Sequence, residues 1–188
     1  MKFEHEKAGP PMNIYPYEKK YGVQIAVLLN DFLPFEPETA DTVDQAGGIR
    51  YIAVNELDEV VGYIAGYEIL DFNKEFPYFH EELQSLKGLV ESGISYYTSH
   101  FVVHPNERKK GIGTKLVRAY LEAVHPVAKT IVTVGWVQSD TNRWAAERQF
   151  ASQGFEPFIY MPRYFEPYQV DCPSCKGLCY CDAHIFVK

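Results

Sequence analysis

Val103-His104-Pro105-Asn106-Glu107-Arg108-Lys109-Lys110-Gly111-Ile112-Gly113-Thr114-Lys115-Leu116 joins the end of an apolar strand to the start of an amphipathic helix. The strand runs from Ile94 to His104 and Pro105-Asn106 turns the chain. From Thr114 to His125 a stripe of Leu116, Val117, Tyr120, Leu121 and Val124 marks a helix that Pro126 ends. Arg108, Lys109 and Lys110 stand just before a helix N-terminus that already carries partial positive charge, which is unfavourable unless an anion is present. Gly111 and Gly113 remove side chains where the backbone turns into the helix, so several N–H groups can converge on phosphate oxygens. The bland alternative is a solvated basic turn. A strand before the loop and an amphipathic helix after it favour a ligand that carries a pyrophosphate.

Upstream, Tyr17 to Phe32 has near-helical spacing at Val23, Ala26, Val27 and Leu29 and is closed by Pro34, and a shorter helix is expected from Glu38 to Ala46 before Gly47-Gly48. Ile49–Asn55 and Val60–Leu70 read as two antiparallel strands joined by a short link. Residues 71–93 break that rhythm as an insertion, with Phe72, Phe76, Tyr78 and Phe79 leading into a helix from Glu81 to Val90. Downstream come a strand Thr130–Val137, a helix capped by Asp140 or Thr141 and running through Ala151, a strand Phe155–Tyr160 after Gly154, and a closing strand Ala183–Lys188.

The 188 residues, 46% hydrophobic, suit one domain spanning 1–188. The formal charge of −7 argues against wholesale binding of nucleic acid, which needs a basic surface, and suits an amine-bearing substrate. MKFEHEKAGPPMN lacks an apolar targeting run and no segment approaches the ~20 apolar residues of a membrane span, so a cytoplasmic protein without a membrane partner is expected.

Through the quoted segment, and through Ala146, Gly154 and Phe155 of the later Asn142-to-Phe155 stretch, the chain resembles the GNAT family of acyl-CoA-dependent N-acetyltransferases. With the first helix and the hairpin, the resemblance covers nearly the whole chain. It implies an α/β fold with a mixed, mostly antiparallel sheet, splayed at the cofactor site and flanked by helices. It implies acetyl-CoA as cosubstrate, its pyrophosphate on Arg108, Lys109, Lys110, Gly111, Ile112, Gly113 and Thr114, its pantetheine arm along Phe101, Val102 and Val103, and Asn142 on the second cofactor-side helix.

The resemblance also shows where the pattern fails. Where the family often carries a proton-donating tyrosine, four residues before the Gly-Phe pair, this chain has Phe150, so Tyr160 and Tyr164 are the nearest candidates for an acid. Where the histone-acetylating branch has a glutamate, this chain has Tyr97, which leaves His100 and Glu68 as candidates for the base. An imidazole has an ordinary pKa near 6.5, suited to accepting a proton at neutral pH. His100 as a hydrogen-bonded strand histidine, and Glu68 as a substrate-charge partner or solvated residue, are the plainer readings. The aromatics of the insertion can line a substrate pocket, make a homodimer contact or cover a sheet edge.

All four cysteines, Cys172, Cys175, Cys179 and Cys181, fall in one loop between the last two expected strands, spaced C-x-x-C and C-x-C over residues 171–182. Four thiolates can complete a zinc tetrahedron. The second pair is tight, so His184 or an aspartate can substitute, and reduced thiols or a local disulfide are the alternatives. Two functions follow. One is an N-acetyltransferase acting by direct attack of a small-molecule or peptide amine on acetyl-CoA. The other is a catalytically weak CoA-binding module whose zinc loop contacts a macromolecule.

Overall fold

A computed structural model of the protein describes residues 13–33 and 37–188, so the readings that rest on Met1–Met12 and on Pro34 lie outside the described residues. The strands are β1 (Asn13–Pro16), β2 (Ile49–Val54), β3 (Val60–Glu68), β4 (Ser95–Val103), β5 (Thr130–Gln138), β6 (Arg143–Trp144), β7 (Glu156–Met161), β8 (Asp171–Cys172), β9 (Gly177–Leu178) and β10 (Asp182–Val187). The helices are α1 (Gly22–Phe32), α2 (Ala40–Gln45), α3 (Phe72–Glu75), α4 (Gln84–Val90), α5 (Ile112–Val124) and α6 (Glu147–Ala151). One sheet has the order β1-β2-β3-β4-β5-β10-β7, with β6 paired to β5, while β8 and β9 form a separate hairpin. Every pairing in it is antiparallel except that of β4 with β5.

Three apolar clusters fix the layers. On one face α5 and α6 bury Leu116, Val117, Tyr120, Leu121 and Phe150 against Ile64, Ile131 and Phe186. On the other, α1 packs Ile25, Leu28 and Leu29 on Ile52, Tyr63 and Val102. Beside it, the insertion seats Phe72, Phe76, Leu83, Leu86 and Val90 on Val132, Met161, Ala183 and Ile185. The insertion therefore covers a sheet face rather than a bare edge. Burying a large apolar side chain contributes roughly 1.5–3 kcal/mol, which anchors the insertion firmly.

Boundaries shift for physical reasons. The first predicted helix begins at Gly22, because Asn13–Pro16 pairs with Val54–Tyr51 as an edge strand and Lys19–Tyr21 form a 3-10 turn. In the insertion the helix starts at Gln84 and a separate short one, Phe72–Glu75, is capped by the Asp71 carboxylate. The helix expected from Asp140 or Thr141 is confined to Glu147–Ala151, since Arg143 and Trp144 instead pair with Gln138 and Val137.

Candidate active site

β4 and β5 pair only from Ser95↔Thr130 to Thr98↔Thr133, although β4 continues to Val103 and β5 to Gln138. Past Thr98 the two strands diverge, and the edge of β4 that faces β5 offers main-chain groups with no strand of the described residues beside it. A register shift between Ala65 and Gly66 makes Ser99 the extra residue of a bulge in β4, next to the point of divergence. Bulges of this kind re-aim side chains near binding sites. A cavity of about 400 Å³ occupies the opening. Thr98, Ser99, His100 and Phe101 line it from β4, Thr133, Val134 and Trp136 from β5, and Trp144 and Phe150 close one side.

At the end of β4 the chain turns through Pro105–Glu107 into the basic loop and α5. Lys109 (φ 64°) and Gly111 (φ 77°) both adopt the left-handed region, which favours glycine at the second and strains a lysine at the first. A Cβ on Gly113 would lie 3.0 Å from the Phe101 ring and 3.2 Å from the Gln149 side chain, so both would have to give by a few tenths of an ångström to admit one. The N–H groups of the first turn of α5 have no acceptor within the helix, and the helix dipole adds to their pull on an anion. The cations are less bare than the sequence implies. Lys110 Nζ pairs with Glu107 at 2.8 Å, and Arg108 Nε donates to the Val103 carbonyl at 3.1 Å, so among the described residues Lys109 alone of the three is without such a partner.

His100 faces the cavity on β4. Ser99 Oγ donates to the Ala65 carbonyl at 3.3 Å and lies 3.0 Å from His100 Nδ1, so Nδ1–H is the donor in that contact and Nε2 is left as the acceptor. Glu38 Oε1 sits 3.8 Å from Nε2. Burial pushes the His100 pKa below its ordinary value, against the smaller opposing pull of the Glu38 carboxylate. Asn30 on α1 clamps the Glu38 backbone through two contacts of 2.8 Å, and Thr42 Oγ1 donates to its carboxylate.

Other candidates fall elsewhere. Glu68 is exposed at the end of β3 opposite Tyr96, where the sheet is closed, and does not line the cavity. Tyr160 is 51% exposed and donates its hydroxyl to Asp182 on the outer surface. Tyr164 is buried in the cavity wall, where its oxygen accepts from Tyr168 at 3.1 Å. Phe150 fills the family's tyrosine position with a hydrocarbon ring packed on Phe101, Trp144 and Phe155. Asn142 is an exposed turn residue between β5 and β6, with φ 50° and its N–H on the Gln138 carbonyl. Glu38 and Glu75 line the cavity and were not among the sequence candidates.

The cysteine loop closes on itself. All four sulfurs lie within 4.8 Å of one another, all are free thiols, and Cys172, Cys179 and Cys181 are buried. Sulfurs around a tetrahedral zinc stand about 3.8 Å apart, given Zn–S bonds of about 2.3 Å. Cys172–Cys181 at 3.9 Å and Cys175–Cys181 at 3.4 Å fit that spacing without His184 or an aspartate. Burial opposes ionisation of Cys175, but hydrogen bonds led by that of Ser139 outweigh it and bring the thiol down to about 7. The cluster packs on Trp136, Phe165 and Val170, three residues that also line the cavity.

The sequence matches the acetyltransferase (GNAT) family over residues 23–155, more than half of the chain. The chain belongs to the GNAT acetyltransferase family. As a GNAT protein it is an acyltransferase, with the mixed, mostly antiparallel sheet and flanking helices of that fold. Solved GNAT structures match its fold. Arabidopsis thaliana NAA60 in complex with acetyl-CoA has a TM-score of 0.67 at 16% identity, over 95% of this chain and 98% of that one. The putative acetyltransferase yncA from Salmonella typhimurium, with its cofactor acetyl-CoA, has a TM-score of 0.63 at 17% identity, over 94% and 92%. Arabidopsis thaliana Naa50 in complex with the bisubstrate analogue CoA-Ac-MVNAL has 0.63 at 18%, over 94% and 97%. No curated protein matches this GNAT chain in sequence. Among the described residues no helix is long and apolar enough to cross a membrane.

Proposed function

We propose that the protein transfers an acetyl group from acetyl-CoA to an amine by direct attack. The observation that carries this reading is the divergence of β4 from β5 beyond Thr98, opening directly beside the glycine loop that starts α5. The pyrophosphate sits on the backbone of residues 108–114, with Lys109 balancing its charge. The pantetheine arm runs along the free edge of Phe101–Val103 and delivers the thioester to the bulge at Ser99. Structures similar in fold were solved with acetyl-CoA or with bisubstrate analogues, which supports the same cosubstrate here.

The neutral amine attacks the thioester carbonyl, forming a C–N bond and an oxyanion. As that intermediate collapses, the C–S bond breaks and the thiolate leaves. His100 Nε2 takes the proton from the amine nitrogen, and Glu38 steadies the imidazolium that results. The thiolate departs without a dedicated acid, because burial holds the Tyr164 pKa far above the ordinary tyrosine range and leaves its hydroxyl too weak an acid to protonate a thiolate. The four cysteines hold a structural zinc. The partner is a small-molecule or peptide amine, and the site of action is cytoplasmic.

Calorimetry with acetyl-CoA, followed by thiol release in the presence of an amine panel, tests the reading. Binding with amine-dependent release is the expected result. Binding without turnover on any amine favours the CoA-binding module, and no binding removes the assignment altogether.

A further inference from the structure

Glu75 is the part of the cavity that the proposed reaction does not use. It ends α3 in the insertion, is partly buried, and lines the opening together with Tyr97, Tyr164, Phe165 and Tyr168. Tyr67 donates its hydroxyl to the carboxylate, 3.0 Å from Oε1 and 2.9 Å from Oε2. A carboxylate has about four acceptor positions, so this single donor leaves capacity over. Among the described residues no lysine, arginine or histidine pairs with it. Among the described residues no Lys or Arg lines the cavity, while two carboxylates do, and Glu38 is already set against His100.

The rings beside it are arranged for the same purpose. Tyr97 meets Tyr67 and Phe76 edge to face, with centroids 5.8 and 5.9 Å apart, and Tyr164 lies 5.6 Å from Tyr168. Burial above all keeps these tyrosines neutral, and the Glu75 charge adds to the effect on Tyr97, Tyr164 and Tyr168. Neutral aromatic faces beside a carboxylate attract a cation both through the ring quadrupoles and through the opposite charge. Burial also raises the Glu75 pKa and outweighs both the opposing Tyr67 hydrogen bond and the smaller pull of the Lys74 charge, which marks a carboxylate only partly compensated.

We propose that Glu75 and the tyrosines around it form a recognition subsite for an acceptor that carries a cationic group in addition to the amine that is acetylated. The inference rests on the acetyltransferase reading and narrows its substrate class. Glu75 is a specificity residue here: it binds the second charge and takes no part in bond making.

The test compares two acceptor pairs, 1,4-diaminobutane with butylamine and lysinamide with norleucinamide, each differing by one ammonium group. The intact protein should turn over at least one charged member with kcat/KM about tenfold or more above its uncharged counterpart. Glu75→Gln should abolish that preference through KM, leaving acetyl-CoA affinity and the rate with the uncharged amine unchanged. Glu75→Asp, which keeps the charge, should retain part of the preference and controls for misfolding. The proposal is overturned if neither pair shows a preference, if neither pair is acetylated while acetyl-CoA binds, or if Glu75→Gln keeps the ratio. Failure of acetyl-CoA binding by the unaltered protein instead strikes the acetyltransferase reading itself.

Discussion

At His100 two opposing effects set the protonation state. Burial favours the neutral ring and dominates, while the Glu38 carboxylate 3.8 Å from Nε2 favours the cation. The other groups facing the ring, Ser99 and Tyr63, are uncharged at neutral pH. A base must be deprotonated to act, so in the proposed reaction kcat/KM falls as pH drops through a pKa below about 6.5. Removing the carboxylate takes away the attraction that raises this pKa. Glu38→Gln should therefore move the acid limb of the profile to lower pH, and a limb that moved upward or stayed fixed would show that another group titrates. His100→Ala should lower kcat/KM roughly a hundredfold with acetyl-CoA affinity intact. His100 was legible in the sequence because it lies on the strand that precedes the loop. Glu38 and Glu75 were not, since one precedes a helix cap, the other ends a four-residue helix, and only tertiary packing turns either into the cavity. Glu68 was placed by strand position alone, without knowing that β4 and β5 are still paired beside its partner Tyr96.

Among the elements, the loop and α5 were the clearest in the sequence, because glycines, cations and a helical stripe report on one local geometry. Its charges were not, since the Glu107–Lys110 pair needs the turn between them to be folded. The stretch after β5 misled for a different reason. Trp144 stacks on Phe150 at 5.2 Å and lies 5.1 Å from Phe186, and that packing holds residues 143–144 extended against helix propensity. For the loop itself, Gly111→Val places a β-branched residue at φ 77°, where such residues are genuine outliers, and crowds the anion site. Arg108→Glu replaces a cation with an anion at the same place. Each should weaken acetyl-CoA binding by tenfold or more, about 1.4 kcal/mol. Calorimetric affinity unchanged in both variants would leave the anion assignment without support.

Across the whole molecule the cysteine cluster and the cavity share a wall. The loop joins β7 to β10, neighbours in the sheet, and Phe165, Val170 and Trp136 touch the cysteines on one side and the cavity on the other. The spacing of the cysteines pointed to four ligands that could hold a metal, but the packing of the cluster against the cavity wall could only be learned from the folded chain. A structural metal lends its binding free energy to folding, so removing it should release the segment from Pro167 to Cys181 and unseat that wall. The glycine loop at residues 108–113 is held by α5 and β4 and does not depend on it. Protein purified without added zinc should contain about one metal per chain, against the four thiolates of a closed site. Chelation should lower Tm by several degrees, since about 1 kcal/mol moves Tm roughly 2–4 °C at this size. It should also raise KM for the amine far more than Kd for acetyl-CoA, and restored zinc should reverse both effects. Less than about 0.2 equivalents of metal, with four thiols freely titratable in the folded protein, would sink the metal site. Equal losses in amine and acetyl-CoA binding would instead mean that the loop supports the entire sheet rather than the acceptor wall.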